Sequence, residues 1–267
     1  MGKKILVVDN DRFMLEFMAD LLREQGHDVN TAQDGLSAIE LLKGYVPDMV
    51  FVDLIMPNIS GDRVCRVIRK TPQLKDVYIV VVSATVAEDP TRFADLGANA
   101  CIAKGPLNEM AKHVIATVDQ AGQASSQCQE EGAADLQGIF RQRGITRELL
   151  SIQRHLLTLL NNISEGILEL NSAGKIIFAN NIALSLFGGS EEKLLGKQFS
   201  ELFDEPDRKR IVDLLGDIGA GLPEIIDPFR AQVSGQTIML KILPVEDNLE
   251  WSVMVIAVPL GKINMHQ

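Results

Sequence analysis

Cysteine, basic charge and long apolar runs are all scarce in this 267-residue sequence. No apolar run approaches the ~18 residues that a membrane helix needs, and the N-terminus lacks the features of a secretory signal. The three cysteines, Cys65, Cys101 and Cys128, show no Cys-x-x-Cys pairing. We therefore expect buried thiols, without a disulfide framework or a zinc site. These absences predict a cytoplasmic protein that does not bind a membrane.

Acidic residues outnumber basic residues in both halves of the chain, and the formal net charge is −10. Residues 1–120 contain 13 Lys and Arg against 17 Asp and Glu, and the remainder contains 13 against 19. Binding to a phosphate backbone usually needs a basic surplus. We therefore expect no direct binding of nucleic acid.

Short apolar runs alternate with amphipathic segments of helical spacing through residues 1–120. Three of the runs are rich in Val and Ile and apolar throughout, as strands buried on both faces are. Strand and helix alternate five times, which predicts an α/β doubly wound parallel sheet with helices on both faces. The predicted strands are Lys4–Val8, Asp28–Ala32, Met49–Val52, Val77–Val82 and Ala100–Ala103.

Chemically active side chains follow the ends of four of these strands: Asp9, Asn10, Asp53, Ser83 and Lys104. Functional groups in open parallel sheets collect beyond the carboxyl ends of the strands, so we expect these side chains to converge on one edge. Clustered carboxylates attract a divalent cation, and a carboxylate can act as the nucleophile that forms an aspartyl-phosphate. A lysine and a hydroxyl can bind the phosphoryl oxygens. The set therefore predicts phosphoryl transfer.

The same positions carry a family resemblance. The stretches Ile5–Asp11, Val52–Gly61 and Val80–Ala84, together with Lys104, resemble the receiver domain of two-component response regulators. The resemblance covers residues 1–120 and implies a flavodoxin-like fold with strand order 2-1-3-4-5. It also implies that a histidine kinase or phosphotransfer protein donates a phosphoryl group to this domain.

The resemblance assigns a role to each residue of the set. Asp53 is the implied phosphoacceptor, and Ser83 and Lys104 are implied to bind the phosphoryl group. Magnesium is the implied cofactor, with Asp9, Asn10 and Asp53 as its ligands.

Two departures from the family pattern concern the acidic site. Asn10 stands where the family has a second acidic residue, so we expect weaker magnesium binding, with Asp11 as an alternative source of the missing charge. The residue two positions after Asp53 is the apolar Ile55, which would slow hydrolysis of a phosphoryl group if it shields that group from water.

Two further departures lie around the lysine. Gly105 separates Lys104 from Pro106, and Cys101 occupies the position of a frequent aromatic switch residue. The missing aromatic puts the usual route of signal transmission in doubt. It leaves open the alternative that this domain has become a constitutive docking module.

A linker and a short helix are predicted to follow. Residues 121–145 are rich in Gln, Ser, Gly and Ala, which is typical of a linker. Residues 146–163 are predicted to form a signalling helix with apolar residues spaced 3, 4, 3, 4, namely Leu149, Ile152, Leu156, Leu159 and Ile163. Such a heptad seam either pairs with a second copy, which gives a homodimer, or packs onto the following domain.

Residues 164–260 change to a pattern of strands, short helices and strands, which predicts an antiparallel α+β domain; residues 261–267 form a tail. The stretches Leu160–Ile167, Gly174–Asn181 and Glu192–Phe199 resemble a PAS sensor domain, which implies a five-stranded antiparallel sheet. Residues 205–220 lack the histidine of haem-binding relatives, and residues 150–267 lack the cysteine of flavin-adduct relatives. We expect neither cofactor. The leading interpretation is a ligand-free dimerisation or docking domain, and a small apolar ligand is the second.

These features together predict a response regulator of a two-component phosphorelay that signals to a protein partner, with no separate enzymatic output. The kinase, the partner and any PAS ligand are not identified by the sequence. Two alternatives stay open: the sensory front of a longer kinase or diguanylate cyclase, or a ligand-sensing PAS module with a degenerate receiver. The first is mildly disfavoured because the chain end lacks an Asp-Ile-Thr-like junction.

Overall fold

The computed structural model describes residues 2–83, 96–121, 155–156, 158–220, 226–246 and 251–260. The chain divides into two compact units, Met1–Gln153 and Arg154–Gln267. The predicted linker from residue 122 onward and residues 146–154 of the predicted signalling helix lie outside the described residues. The same holds for residues 93–95 of a short helix that the apolar spacing predicts over Phe93–Leu96. Among the residues described, no helix is long and apolar enough to cross a bilayer.

The first unit contains a five-stranded parallel sheet of order β2-β1-β3-β4-β5, which confirms the predicted fold class and strand order. Its first and third strands are almost entirely buried, as their Val- and Ile-rich sequences predict. The elements are β1 (Lys4–Val8), α1 (Arg12–Glu24), β2 (Asp28–Ala32), α2 (Gly35–Leu42), β3 (Met49–Val52), α3 (Gly61–Lys70), β4 (Tyr78–Ser83), β5 (Ala100–Ala103) and α4 (Leu107–Gln120).

Helix α1 shows how local sequence produces these elements. Its N-cap is Asp11, whose carboxylate accepts hydrogen bonds from the backbone N–H groups of Phe13 and Met14. Leu15, Met18, Ala19 and Leu22 recur at helical spacing and are buried against the sheet. Gly26 lies just beyond the helix at φ 81°, a conformation that glycine adopts without strain.

One prediction about the cysteines was wrong. Cys65 is a buried free thiol, and burial raises its pKa to about 12, which keeps it protonated. Cys101, however, is disulfide-bonded, and its partner is not among the described residues. Spacing along the sequence carries no information about such a pairing, because a disulfide depends on the separation of two residues in space.

The second unit contains a five-stranded antiparallel sheet of order β7-β6-β10-β9-β8, as predicted. A tight turn at residues 171–174 joins its first two strands. The elements are β6 (Gly166–Leu170), β7 (Ile176–Ala179), α5 (Asn181–Leu186), α6 (Glu191–Leu194), a 3₁₀ helix (Phe199–Leu202), α7 (Asp207–Gly219), β8 (Phe229–Val233), β9 (Gln236–Glu246) and β10 (Trp251–Pro259).

Several predicted boundaries differ from the structure. Within the strand predicted over residues 224–233, the described residues 226–228 are not part of the strand, which begins at Phe229 directly after Pro228, whose backbone has no N–H for a sheet hydrogen bond. The sequence pattern predicts the last two strands over Thr237–Leu243 and Trp251–Val258. Strands β9 and β10 are longer because they pair with each other continuously, from Trp251 opposite Glu246 to Pro259 opposite Ile238. Ser83 is the last residue of β4, not the residue after it, because it pairs with Ala103 of β5.

Aromatic rings fill part of the interior of the second unit. Phe187, Phe199 and Phe203 are all buried, and their rings pack edge to face with centroids 5.0 to 6.0 Å apart. This is the preferred geometry of aromatic pairs, and it adds to the stabilisation from burial of the rings.

A buried asparagine joins the start of the second unit to its sheet. Residues 155–156 and 158–162 are helical, and we call this segment the entry helix. Asn180 is 1% exposed, and its Nδ2 donates to the carbonyls of Leu160 (2.8 Å) and Glu165 (2.9 Å). Its Oδ1 accepts from the N–H groups of Ile167 and Ala183, both at 2.9 Å. The side chain therefore uses its full hydrogen-bonding capacity to connect the entry helix, β6 and α5.

Replacement of Asn180 by Ala should destabilise the second unit by about 2 kcal/mol or more, because buried backbone groups lose their partners and α5 loses its N-cap. The chain has a single tryptophan, Trp251 in β10, so tryptophan fluorescence during urea unfolding reports on this unit alone. The exposed Asn162→Ala is the control, with an expected change within about 0.5 kcal/mol. Equal effects of the two substitutions would contradict the role assigned to Asn180.

Candidate functional site

Two buried carboxylates lie side by side at the C-terminal edge of the first sheet. Val8 of β1 is paired with Val52 of β3, so the residues that follow, Asp9 and Asp53, emerge together. The backbone N–H of Asp53 donates to the carbonyl of Val8 at 2.9 Å, which fixes this position. Asp9 is 4% exposed and Asp53 is 6% exposed, although the bare edge of a sheet is ordinarily open to water.

Lys104 connects the two carboxylates. Its Nζ lies 2.7 Å from Oδ2 of Asp9 and 2.8 Å from Oδ2 of Asp53. Its backbone N–H donates to the carbonyl of Ser83 at 3.1 Å, and this bond holds the end of β5 against the end of β4. Ser83 itself is fully buried. Four of the five predicted site residues, all except Asn10, are therefore buried or half-buried at one edge of the sheet.

Burial and charge oppose each other at this edge. Burial raises the pKa of Asp53, and the nearby ammonium of Lys104 offsets this only in part, while the carboxylate of Asp9 raises it further. For Lys104, burial alone would lower the pKa, but the carboxylates of Asp53 and Asp9 outweigh burial and raise it. Lys104 is therefore firmly protonated, and two carboxylates share its single positive charge.

The loop that follows Asp53 is packed too tightly for side chains at two glycines. A Cβ on Gly61 would lie 1.9 Å from the carbonyl oxygen of Asp53, and one on Gly35 would lie 2.1 Å from the carbonyl oxygen of Ile59. Both contacts are impossible, so these positions require glycine. The loop is thereby held between the first residues of α2 and α3, and this fixes the backbone of Asp53.

The backbone of Ile55 contacts the carboxyl group of Asp53. The N–H of Ile55 donates to Oδ1 of Asp53 at 3.3 Å, while the Ile55 side chain is 46% exposed. The apolar side chain two positions after Asp53 is therefore open to water and is not buried in the core.

Asn10 and Asp11 are both exposed. The carboxylate of Asp11 caps α1, and its backbone N–H donates to Oδ1 of Asp9 at 2.9 Å. The Oδ1 atom of Asp11 is therefore engaged at the start of the helix. Within the described ranges, no group of three Asp, Glu, His or Cys side chains is arranged to hold a metal.

The donors at this edge nevertheless fit a magnesium ion. The two carboxylates of Asp9 and Asp53 carry more negative charge than Lys104 neutralises, and the exposed Asn10 follows Asp9 directly in the chain. Oxygen donors of this kind are the ligands that magnesium prefers, and magnesium completes its shell with water. Because residue 10 is asparagine, this group of donors has one carboxylate fewer than a site with an acidic residue at that position.

A positioning network that the sequence analysis did not identify lies around Arg69. This side chain of α3 donates to the carbonyls of Lys75, Val77 and Gly97 and to Oδ1 of Asn99, which also accepts from the N–H of Ile79. The network anchors the turn before β5, the strand that carries Lys104 at its other end. A lone arginine at a helix end is usually solvated, so nothing in the sequence pattern distinguishes this one.

Family comparison agrees with this geometry. A model described as "Response regulator receiver domain" matches residues 5–116, and one described as "PAS fold" matches residues 154–217. Residues 5–116 therefore form a receiver domain, and residues 154–217 further along the chain match a PAS fold. Receiver domains bind Mg²⁺, and both kinds of domain are normally non-enzymatic signalling modules. Neither match is to a catalytic output domain.

The curated relatives match the receiver part of the chain. Response regulator MprA of Mycobacterium sp. (strain KMS) is 37% identical over 100 residues, which are 38% of this chain and 42% of that protein. Response regulator MprA of Mycobacterium ulcerans (strain Agy99) is 35% identical over the same shares. The chain thus spans less than half the length of these relatives.

Solved structures with a similar fold include three response regulators. The phosphorylated cyanobacterial phytochrome response regulator RcpA is 25% identical, with a TM-score of 0.43, and the match covers 47% of this chain and 97% of that one. The Mn²⁺-bound form of response regulator Rcp1 is 22% identical, with a TM-score of 0.41, and the match covers 48% of this chain and 100% of that one. The chemotaxis response regulator CheY4 of Vibrio cholerae is also 22% identical, with a TM-score of 0.41, and the match covers 45% of this chain and 99% of that one. Each match covers under half of the chain.

The raised pKa of Asp53 has a consequence for stability. At pH values below the pKa that Asp53 has in the unfolded chain, its neutral carboxyl group stabilises the folded protein in full. This contribution to the free energy of unfolding is lost as the pH rises through the higher pKa that Asp53 has in the folded protein. Asparagine does not ionise, so the Asp53→Asn variant does not lose this stability as the pH rises. Lys104 stays paired with Asp9 in the variant. The variant should therefore unfold at a higher temperature than the wild type at neutral pH, and the difference should shrink as the pH falls through the ordinary aspartate range.

Differential scanning calorimetry of the full chain across this pH range measures the effect. Asp11→Asn is the matched control, because asparagine caps a helix as well as aspartate does and the position is exposed. An unfolding temperature of Asp53→Asn at or below that of Asp11→Asn at neutral pH would contradict the assignment.

Proposed function

We propose that the protein is a response regulator whose Asp53 accepts a phosphoryl group from the phosphohistidine of a histidine kinase or phosphotransfer protein. The observation that carries the proposal is the position of Lys104, whose Nζ lies within 2.8 Å of both buried carboxylates. A receiver domain implies a histidine kinase as partner, and this geometry supplies the chemistry for that partnership.

The reaction requires a nucleophile and charge stabilisation. A carboxylate oxygen of Asp53 forms the O–P bond as the N–P bond of the phosphohistidine breaks, and the histidine leaves as neutral imidazole once it is protonated. Lys104 is fixed close enough to pair with the phosphoryl oxygens, and the buried Ser83 at the end of β4 can donate its hydroxyl to them. Most of the catalytic effect comes from such positioning, because the protein does little covalent chemistry in phosphoryl transfer.

Magnesium would be held by Asp9 and Asp53, with the amide oxygen of Asn10 as a weaker donor. When bound, it neutralises charge on the transferring phosphoryl group. The chain contributes the two carboxylates and keeps them buried side by side. The apolar side chain of Ile55, two positions after Asp53, would restrict the approach of water to the phosphorylated Asp53.

The response would be passed to protein partners. In this proposal the chain acts in the cytoplasm, without direct nucleic-acid binding and without an enzymatic output of its own. The net charge of −10 supports the absence of direct nucleic-acid binding, since the composition lacks the surplus of Lys and Arg that such binding usually needs. Neither haem nor a flavin adduct is assigned to the PAS domain.

Intact-mass spectrometry after incubation with acetyl phosphate and magnesium tests the proposal. The wild type should gain one phosphoryl group, Asp53→Asn should gain none, and Asp11→Asn should behave like the wild type because its carboxylate caps α1 outside the site. An unmodified wild type at high magnesium would show a degenerate receiver and would overturn the proposal. An equal adduct on Asp53→Asn would place the reaction elsewhere.

The neutral residue at position 10 should weaken magnesium binding. Asn10→Asp adds a third carboxylate, so we expect its dissociation constant for magnesium to fall by about tenfold. Isothermal titration calorimetry of the unphosphorylated protein measures this without any reaction. Asp11→Asn should leave the dissociation constant nearly unchanged, and a tighter-binding wild type than Asn10→Asp would contradict the interpretation.

A further inference from the structure

The strand that precedes Lys104 is short and lies at an edge of the first sheet. β5 spans four residues, and among the described strands it is paired only with β4. A short strand that is paired on one side is held in place largely by the contacts at its two ends. Its C-terminal end is held by the hydrogen bond from the backbone N–H of Lys104 to the carbonyl of Ser83. The position of the Lys104 side chain therefore depends on what holds the other end of β5.

Two side chains hold that other end, Arg69 and Asn99, and we call this pair the β5 clamp. The backbone N–H of Asn99 donates to the carbonyl of Ile79 at 2.8 Å, and the N–H of Ile79 donates back to Oδ1 of Asn99, also at 2.8 Å. The Asn99 side chain thus extends the hydrogen bonding between β4 and β5 by one residue. Nη2 of Arg69 donates to the same Oδ1 at 2.6 Å, which fixes the orientation of the amide.

The guanidinium of Arg69 ties this pair to two neighbouring segments. Its Nε donates to the carbonyl of Gly97 at 2.8 Å, in the turn before β5. Its Nη1 donates to the carbonyls of Val77 at 2.7 Å and Lys75 at 3.0 Å, in the connection between α3 and β4. All three nitrogens of the side chain are therefore engaged. A planar guanidinium supplies such a set of fixed donors, and the single nitrogen of a lysine does not.

Helix α3 joins the clamp to the phosphoacceptor. Its first residue, Gly61, lies directly against the backbone carbonyl of Asp53, and Arg69 is the last residue but one of the same helix. One end of a rigid helix thus contacts the loop of the nucleophile, and the other end holds the strand that leads to Lys104. The helix and the clamp together relate the position of Lys104 to that of Asp53.

We propose that Arg69 is a positioning residue for phosphoryl transfer. It fixes β5 along β4 so that Nζ of Lys104 lies 2.8 Å from Oδ2 of Asp53, where it can pair with phosphoryl oxygens. Its hydrogen-bond partners among the described residues are at the opposite end of β5 from Lys104, so it acts through Lys104 and not on the phosphoryl group. The effect on the reaction rests on the proposed function, whereas the effect on the position of Lys104 does not.

Chemical modification of lysine in the unphosphorylated full chain tests the position of Lys104. In the wild type its side chain is 22% exposed and paired with two carboxylates, so it should react slowly with N-hydroxysuccinimidyl acetate. In Arg69→Gln it should react several-fold faster, while the exposed Lys112 reacts at the wild-type rate. Peptide mass spectrometry measures both rates. Asn99→Ala is the milder second variant, should act in the same direction, and decides the outcome if circular dichroism shows that Arg69→Gln is unfolded.

Arg23→Gln is the matched control. Arg23 of α1 donates to the carbonyl of Val29 in β2 at 3.0 Å, so it anchors the strand at the opposite edge of the same sheet. This substitution should leave the reactivity of Lys104 unchanged. The initial rate of phosphorylation by acetyl phosphate should fall by about tenfold in Arg69→Gln and stay near the wild-type rate in Arg23→Gln. The dissociation constant for magnesium should be the same in all three proteins, because Asp9 and Asp53 follow β1 and β3.

The outcomes separate positioning from a general loosening of the domain. Wild-type reactivity of Lys104 in the folded clamp variants, or an equal increase in Arg23→Gln, would overturn the proposal. So would a wild-type phosphorylation rate in Arg69→Gln, or magnesium binding that weakens as much as the rate falls. A wild type that accepts no phosphoryl group would overturn the proposed phosphoryl transfer instead, and the reactivity of Lys104 would still decide whether Arg69 positions it.

Discussion

The shared ammonium of Lys104 is the interaction on which the first domain depends. Two carboxylates buried side by side repel each other and lose their hydration, and one positive charge within 2.8 Å of both offsets this cost. Much of the surrounding architecture serves to hold these three groups. The register of β1 and β3 places Asp9 beside Asp53, and Gly61 permits the close approach of α3.

The second domain is organised by a different constraint, which is the satisfaction of buried backbone groups. Asn180 donates twice through Nδ2 and accepts twice through Oδ1 at the junction of three segments. Apolar and aromatic packing accounts for the remainder of this core. The two domains therefore combine an ionisable centre, which can respond to covalent chemistry, with a neutral and fully hydrogen-bonded junction that resists rearrangement.

The ends of the strands were the most predictable features of the sequence. Asp9, Asp53 and Lys104 follow buried strands of a parallel sheet, and parallel topology alone brings such residues together. The commitment of Asp11 to helix capping was not predictable, because the same sequence position is compatible with metal binding. The role of Asn180 also escaped prediction, since its four partners are spread over 24 residues of sequence from Leu160 to Ala183. The spacing of apolar residues predicts which face of a helix or strand is buried. The roles of Asp11 and Asn180 depend instead on which backbone groups of other residues lie within hydrogen-bonding distance of their side chains.

The junction at Asn180 also defines an angular relation between the entry helix and the sheet. Each residue of an α-helix turns the chain by about 100°, so the direction in which Leu159 points follows from its distance in sequence to Leu160 and Asn161. A helix from another protein fused in continuous register to His155 would be rotated by about 100° for each residue added or removed at the fusion, while the junction stays intact. Chimeras that place another domain in front of this helix should therefore preserve its helical phase, with changes of length in steps of seven residues. The junction thus makes the PAS domain transferable as a unit together with its helix, in a fixed rotational setting.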